Sequence, residues 1–516
     1  MKKLLFLNFT ILCGFLSAQQ ISLTFGPDLP SGNKKTMDNL AYFDQSGYYF
    51  IASESLDENH GLYKRVFKER RLFIEKYGLD FKPIYSEEYK AKEDKTISYG
   101  IKYFKSKFDC LLSIKNKKEK TISFSIASFS MNGKVQNEKL LTKIKYNKEE
   151  EVDNIEWKLS NDTSKMLIIV SSKDNSKENK YKLNIFVLDT TNNIIWKKII
   201  STPYSMKQAE LSSAIILNNG NVNIVLNIRE NLKDKNEKFY PYLFIVNSES
   251  ESSLNGIKIK FDSLFLSECK ISSNPFNNEL LITSLYSKDI WEPKTGLVCL
   301  NVNPQNGDIL NKSKKEYSNT LLDLLHYYSY SEKNGVKGLS AFISHFNTQF
   351  FKDSTMLVSF DGELFFGYEH ISLDGIFTYI GNNGHIIDHY VLPKKQVHSE
   401  DDASIVSYSL SKFEDKLIVF YNENNKNMDY PILKAKEADI SSNFWVAVPA
   451  LVSIDKGGNY QRNKLFDTKE LKLFLTPKYI YRISENKYIT IGLKLKGKLN
   501  QNLNGGFNFI LIELSK

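Results

Sequence analysis

At six places in this chain a strand-like segment runs into an Asn or Gly pair and a second strand-like segment leaves it: Asn132-Gly133, Asn192-Asn193, Asn255-Gly256, Asn306-Gly307, Asn383-Gly384 and Gly457-Gly458. Asn and Gly accept the positive φ that tight hairpin turns require, so each pair marks a hairpin. Taken at 133, 193, 256, 307, 384 and 458, the marks lie 60, 63, 51, 77 and 74 residues apart, with Gly78 in "FIEKYGLDFKPI" a further mark 55 residues upstream. The flanks alternate apolar and polar residues, as in Tyr181 to Val187 and Ile489 to Leu495, which buries one face of an extended strand. Upstream of most marks lies another hairpin: "FDQSGYYFIAS", "FKSKFDCLLS", "LSNDTSKMLIIV", "ILNNGNVNIVL", "SFDGELFFGY", "SKFEDKLIVFY" and "ISENKYITIGL". Two hairpins per unit make four strands, the content of a propeller blade.

The reading is therefore an all-β chain folded as a β-propeller of about eight four-stranded blades, or seven if one hairpin is miscounted. The last unit, 479–514, offers only three strands, while "ISLTF" from Ile21 stands alone near the start. Pairing the two completes a blade and closes the ring, removing edges that would otherwise invite aggregation. Residues 19–516 then form a single propeller domain. Two stretches break its rhythm and are expected as insertions near 313–345 and 393–403. In the first, "SNTLLDLL", Ser318 to Leu325, has a Ser or Asn cap before apolar residues at helical spacing and reads as a short helix, followed by the polar loop "SYSEKNGVKG". The second is an irregular loop from Pro393 to Ala403.

Residues 1–18 have the three parts of a secretory signal peptide: Lys2 and Lys3, an apolar run from Leu4 to Leu16, then Ser17-Ala18 before the cleavage point. The run is shorter than the roughly 20 residues a bilayer-spanning helix needs, and no later segment qualifies, so no transmembrane segment is expected. Location is exported: periplasmic or associated with the outer membrane, with an extracellular destination as the further option, and the ending "FILIELSK" is read as a core strand rather than a sorting signal. Bulky Leu12 before Cys13 argues against a lipoprotein. The remaining Cys110, Cys269 and Cys299 are too few and too far apart for a disulfide framework and read as buried thiols. The net charge of +9 comes from lysines mixed with acids in segments such as "KNKKEKT", which describes a solvated surface and not a nucleic-acid patch. The 34 Phe and 29 Tyr fall mostly on strands, where blade faces pack sheet on sheet.

Chemistry-bearing motifs are sparse. In "HIIDH", His385 and His389 share a strand face with Ile387, and residues four apart on a strand lie about 13 Å apart, too far to hold one zinc without a bulge. "HSEDDAS", His398 to Ser404, lacks the spaced ligands and central Gly of an EF-hand loop and reads as a solvated acidic loop. Nucleophile elbow, P-loop, dinucleotide fingerprint and the Ser-x-Asp-x-Gly-x-Thr-Trp box are absent. "VLDTTNNIIWKK" is similar to the repeat of quinone-binding propellers but occurs once, so Trp196 reads as blade packing. No catalytic residue, metal or cofactor is assigned.

In its last 200 or so residues the chain resembles an uncharacterised family of secreted, propeller-like proteins common in Bacteroidetes, through "SKKEYSNTLLDLL", "LPKKQVHSEDDASIVSYSL", "LIVFYNENNKN" and "TPKYIYRISENKYITIG". It departs from that pattern in lacking a Trp shortly before Pro393-Lys394-Lys395-Gln396. The resemblance implies export and a propeller-like fold, and no activity. The resulting expectation is a non-enzymatic binding or scaffolding propeller of the cell envelope, partnered by an envelope protein or a glycan. Its binding residues are sought in the polar stretches, at Lys394, Lys395, Gln396, His398, Tyr421, Asn422 and Asn425. The alternative is a polysaccharide-acting lyase or hydrolase with its site at the propeller axis.

Overall fold

The computed structural model describes residues 20–30, 35–54, 71–90, 96–145, 152–173, 180–231, 239–250, 256–289, 292–325, 328–331, 336–339, 343–366, 369–398, 408–429, 431–432, 447–494 and 506–515. Seven antiparallel sheets follow one another along the chain, each of four strands in sequence order: 35–90, 96–145, 152–205, 209–258, 265–316, 343–398 and 408–464. The eighth is assembled from both ends of the domain, in the order Leu473–Leu475, Lys487–Lys494, Phe507–Ser515 and Gln20–Phe25. The chain is thus an eight-bladed β-propeller, its blades numbered 1 to 8 in that order and its strands described from innermost to outermost.

Closure is a full ladder. Gln20 pairs with Ser515 and the register runs without slippage to Phe25 opposite Ile510. Past the strand, Gly26 N–H donates to Phe509 O at 2.8 Å, and Asn508 Nδ2 donates to Gly26 O at 3.0 Å and Asp28 Oδ1 at 2.8 Å.

The core is a series of interfaces between neighbouring blades. Leu167, Ile185 and Val187 of blade 3 pack on Leu211, Ile224 and Phe244 of blade 4, and Leu281, Cys299 and Val358 join blades 5 and 6. Period-two alternation produces this, because successive residues of a strand serve opposite interfaces. The cysteines among the described residues, Cys110, Cys269 and Cys299, are free and buried, and burial pushes the thiols of Cys269 and Cys299 up to about 12.

Every one of the seven turn marks lies between the third and outermost strands of a blade, and several of these turns lean on the blade before. Gly133, Gly307 and Gly458 all have positive φ, and a side chain added there would press on Tyr85 and Glu87, on Ile257, or on Tyr390 of the preceding blade. In blade 3 the positive-φ residue is Asn192 (φ 63°), not a glycine. Its amide is buried and donates to Asp109 Oδ1 and Ser128 Oγ of blade 2, each at 2.9 Å.

Three local expectations are corrected. "SFDGELFFGY" is not a hairpin: Met356–Phe366 is one strand, with a register shift between Asp361 and Glu363 in its ladder to the next strand. The turn that opens this pair is earlier, at 351–355, where Asp353 Oδ1 accepts from Thr355 N and Thr355 Oγ1. Pro393 to His398 do not leave the sheet but complete the strand Ile386–His398. Proline is tolerated there because the strand is outermost and its ladder is bulged between Leu373 and Gly375. Residues 399–407 of that stretch lie outside the described residues. Finally, Ile387 is the extra residue of a bulge between Ile380 and Tyr379, so it is exposed while His389 is buried, and the two do not share a face. The helix Asn319–Asp323 forms as read, with Ser318 Oγ accepting from Leu321 N at 3.1 Å. Part of the expected polar loop after it pairs as the hairpin Tyr328–Ser331 with Val336–Leu339.

Candidate binding face and its buried network

Connections segregate by length between the two ends of the ring. At one end, most of the turns joining first to second and third to outermost strands are short, as at 45–46, 104–106, 131–134, 189–193, 381–385, 414–415 and 455–459, with 247–256 and 476–486 the longer exceptions. The other end carries the long connections, 55–70, 229–239, 317–342, 399–407, 425–446 and 495–506. Long connections on a rigid scaffold are where binding residues concentrate.

The stretches singled out in the sequence converge at this long-connection end, in blades 6 and 7. Lys394 is fully buried, its Nζ 3.8 Å from Asp361 Oδ2, 3.3 Å from Gln396 Oε1 and 5.5 Å from the ring of Tyr408, while its N–H donates to Asp374 Oδ1 at 2.8 Å. Gln396 Nε2 donates to Asn422 O at 2.6 Å, and Asn422 Nδ2 donates to Leu475 O at 2.9 Å, so one polar chain runs from blade 6 through blade 7 into blade 8. Tyr421 OH donates to Glu423 Oε2 at 2.6 Å. Burial drives the phenols of Tyr408 and Tyr421 well above their ordinary value. Lys394, Gln396, Tyr421 and Asn422 are therefore brought together as an interior brace. Asn425 is exposed, with Lys464 Nζ 3.5 Å from its Oδ1. Lys395 and His398 sit on the same strand, opposite Leu373 and His370 in register, and their side chains are outside the described set.

Glu423, which the sequence did not single out, organises this corner. Its buried carboxylate accepts from Tyr421 OH, from Asn424 N and Asn427 Nδ2 at 2.8 Å each, and from Arg462 Nη1 at 3.0 Å. Arg462 Nη2 also donates to Asn427 O. These bonds fix the 3-10 turn Asn425–Asp429, the first residues of the long 425–446 connection. A rigid stem under a long connection is the arrangement that presents a loop in one orientation.

A second set that sequence reasoning missed lines up along the innermost strands. Blades 1 to 6 each carry a bulge there, at Asp38, Tyr99-Gly100, Asp153-Asn154, Ser212, Glu268-Cys269 and His345-Phe346. Bulges re-aim side chains and recur next to functional sites. Glu268 is exposed and held at φ 54°, unusual for a residue with a side chain. Burial lowers the Lys294 ammonium, and the Glu268 carboxylate offsets part of that shift. Ser212 Oγ donates to Cys269 O at 2.8 Å, tying adjacent innermost strands. Interrupted alternation was the only trace of these bulges in the chain, and a single broken repeat reads as noise.

The two histidines of "HIIDH" differ in setting. His385 is in an exposed turn. His389 is buried, its Nδ1 2.8 Å from Thr378 Oγ1, its Nε2 3.4 Å from Lys315 O, and its ring 4.7 Å from that of Tyr317. Burial lowers its pKa to about 4, with the Lys315 carbonyl and Asp388 opposing and the Lys315 ammonium reinforcing that shift. Above pH 6.5 the ring is neutral folded or unfolded and contributes no pH dependence. Below that, only the unfolded chain takes the proton, so stability falls between pH 6.5 and about 4, by about 3 kcal/mol in all. Denaturant titrations at pH 7 and pH 4 are expected to show His389→Gln losing about 3 kcal/mol less than the parent chain over that span. Equal losses would mean that His389 is protonated in the fold.

Trp196 is half-buried and its Nε1 donates to Gly220 O of blade 4 at 3.3 Å, a contact between blades.

No family model matches the chain, and no curated protein matches it. Among solved structures it is similar to a prolyl endopeptidase (7% identity over 93% of this chain and 55% of that one, TM-score 0.39). It is also similar to a protein of unknown function from Dyadobacter fermentans (8%, 71% and 95%, TM-score 0.32) and to the β-propeller domain of the Trilobed protease from Pyrococcus furiosus (10%, 84% and 96%, TM-score 0.33). The chain spans about half the length of the prolyl endopeptidase and of a puromycin hydrolase. Strand pairing, and not these distant likenesses, defines the fold.

Proposed function

We propose that the chain is an exported binding or scaffolding propeller of the cell envelope that meets its partner with the long-connection end. The observation that supports this is the segregation of connections, with the Glu423–Arg462 stem holding the base of one of the longest. Residues 1–18 have the make-up of an export leader, and among the described residues no helix is long and apolar enough to cross a membrane. The partner class is an envelope protein or a glycan. Capture from envelope fractions tests it, comparing the parent chain with a variant in which 433–446 is replaced by a short Gly-Ser linker. The variant is expected to keep its melting temperature and lose the captured partner. Equal capture, or none by either protein, would count against this face.

The innermost bulges favour a second reading, a polysaccharide-acting lyase or hydrolase with its site at the axis, because Asp38, Tyr99, Asp153, Glu268 and His345 hold positions on innermost strands. Carboxylates, a phenol and an imidazole are the groups that move protons in glycosidic bond cleavage. Release of reducing ends from an acidic polysaccharide, abolished by Glu268→Gln, would establish it in place of the binding reading.

A further inference from the structure

In six consecutive blades the outermost strand opens, at its first or second residue, with an aliphatic side chain that water reaches. These are Ile84, Val135, Ile195, Ile257, Leu310 and Ile387, between 43% and 61% exposed. Single exposed aliphatics are ordinary on protein surfaces. The same kind of residue just past the same turn in six successive units is a pattern, four of them (Ile84, Ile195, Leu310 and Ile387) as the extra residue of a bulge, and the topology places it. Each follows the turn from the third strand, so together they stand on the perimeter of the short-turn end, away from the face of the proposed function.

We propose that two copies of this chain pair face to face through their short-turn ends. An isologous interface requires a surface complementary to itself under a two-fold rotation. A rim built by rotational repetition meets that requirement, because a two-fold axis lying in its plane lays aliphatic positions over aliphatic positions. The area is sufficient: three inter-strand steps of about 4.8 Å and sheets packed about 10 Å apart give a disc on the order of 1,300 Å², against the roughly 800 Å² that one partner contributes to a standard stable interface. The charges are compatible as well. The turns inside the rim carry both signs, paired locally as Lys82 with Asp80, Lys412 with Asp353 and Lys456 with Asp415. Asp189 already accepts from Thr191 N and Asn193 N of its own turn. Two identical faces therefore meet without a block of like charge. In such a pair both long-connection ends point outward, so the inference stands whether or not the binding reading does.

Light scattering on the mature chain, from about 1 to 100 μM, tests the pairing. The expected mass at the upper end is twice that of the chain, whose full-length mass is 59.5 kDa. Ile195→Asp combined with Leu310→Asp is expected to weaken association at least tenfold with an unchanged melting temperature, and Ile84→Lys with Ile387→Lys to do the same through the other side of the rim. Asn425→Asp, at the opposite end, should leave the dimer intact. A chain that is monomeric throughout overturns the proposal. So does a dimer that survives both rim pairs, a dimer that Asn425→Asp dissociates, or co-sedimentation with phosphatidylcholine vesicles as a monomer.

Discussion

Replacing Arg462 with alanine is expected to cost about 3–5 kcal/mol of stability, the penalty for stranding one member of a buried ion pair. Arg462 and Glu423 have side chains only 5% and 0% exposed, and among the described residues the guanidinium is the cation in contact with that carboxylate. The other donors, Tyr421, Asn424 and Asn427, are neutral and do not balance a buried negative charge. Loss of Arg462 also frees the carbonyl of Asn427, so the 425–429 turn should open before the ring does. Limited proteolysis in that stem, together with a shifted denaturation midpoint, is the expected result. Arg462→Met with Glu423→Gln should be much milder, since it removes both charges together. A single substitution as mild as the double would show that the pair braces nothing.

Deleting Gln20–Phe25 is expected to have an effect of comparable size at the ladder that closes the ring. The deletion removes six register pairs and leaves the strand Phe507–Ser515 with a bare edge. It also uncovers the apolar cluster of Phe420, Tyr488, Ile510 and Ile512, on which Ile21 and Leu23 pack. Bare edges next to apolar surface recruit other chains, so the truncated protein should form soluble aggregates and melt at a lower temperature. Thr24→Pro, which removes the ladder donor opposite Leu511, should reproduce part of the loss. A truncated chain that runs as a monodisperse species with the parent melting temperature would mean that the seam contributes nothing.

How much of this was legible in the chain follows from which interactions are local. The turns at Gly133, Gly307, Gly384 and Gly458 depend on φ values that only a few residue types accept, so the residues announce them. The lone "ISLTF" was readable because a three-stranded last unit demands a fourth partner. Asp361-Gly362 has the letters of a hairpin turn yet lies inside a strand, while the true turn at 351–355 is closed by Asp353 without any glycine. Its positive-φ residue is Ser354. The candidate residues failed in a different way. Polar segments such as Pro393-Lys394-Lys395-Gln396 read as surface when taken alone, but Lys394 and Gln396 face Asp361, Tyr408 and Asn422, up to two strands or a blade away. Pairing of that kind is set by the ring, and no window of sequence contains both halves. Glu423 and Arg462, 39 residues apart, were hidden for the same reason.

The overlap of several turns on the preceding blade gives the ring a direction. The outer edge of blade 1 receives its cover from Gly133, that of blade 4 from Gly307 and that of blade 6 from Gly458, so a sheet made early stays unfinished until the next has been laid over it. During synthesis the strand Gln20–Phe25 has no partner until Phe507–Ser515 has been made. Excising one internal blade would not yield a smaller working ring, because each overlying turn is fitted to the particular neighbour it covers.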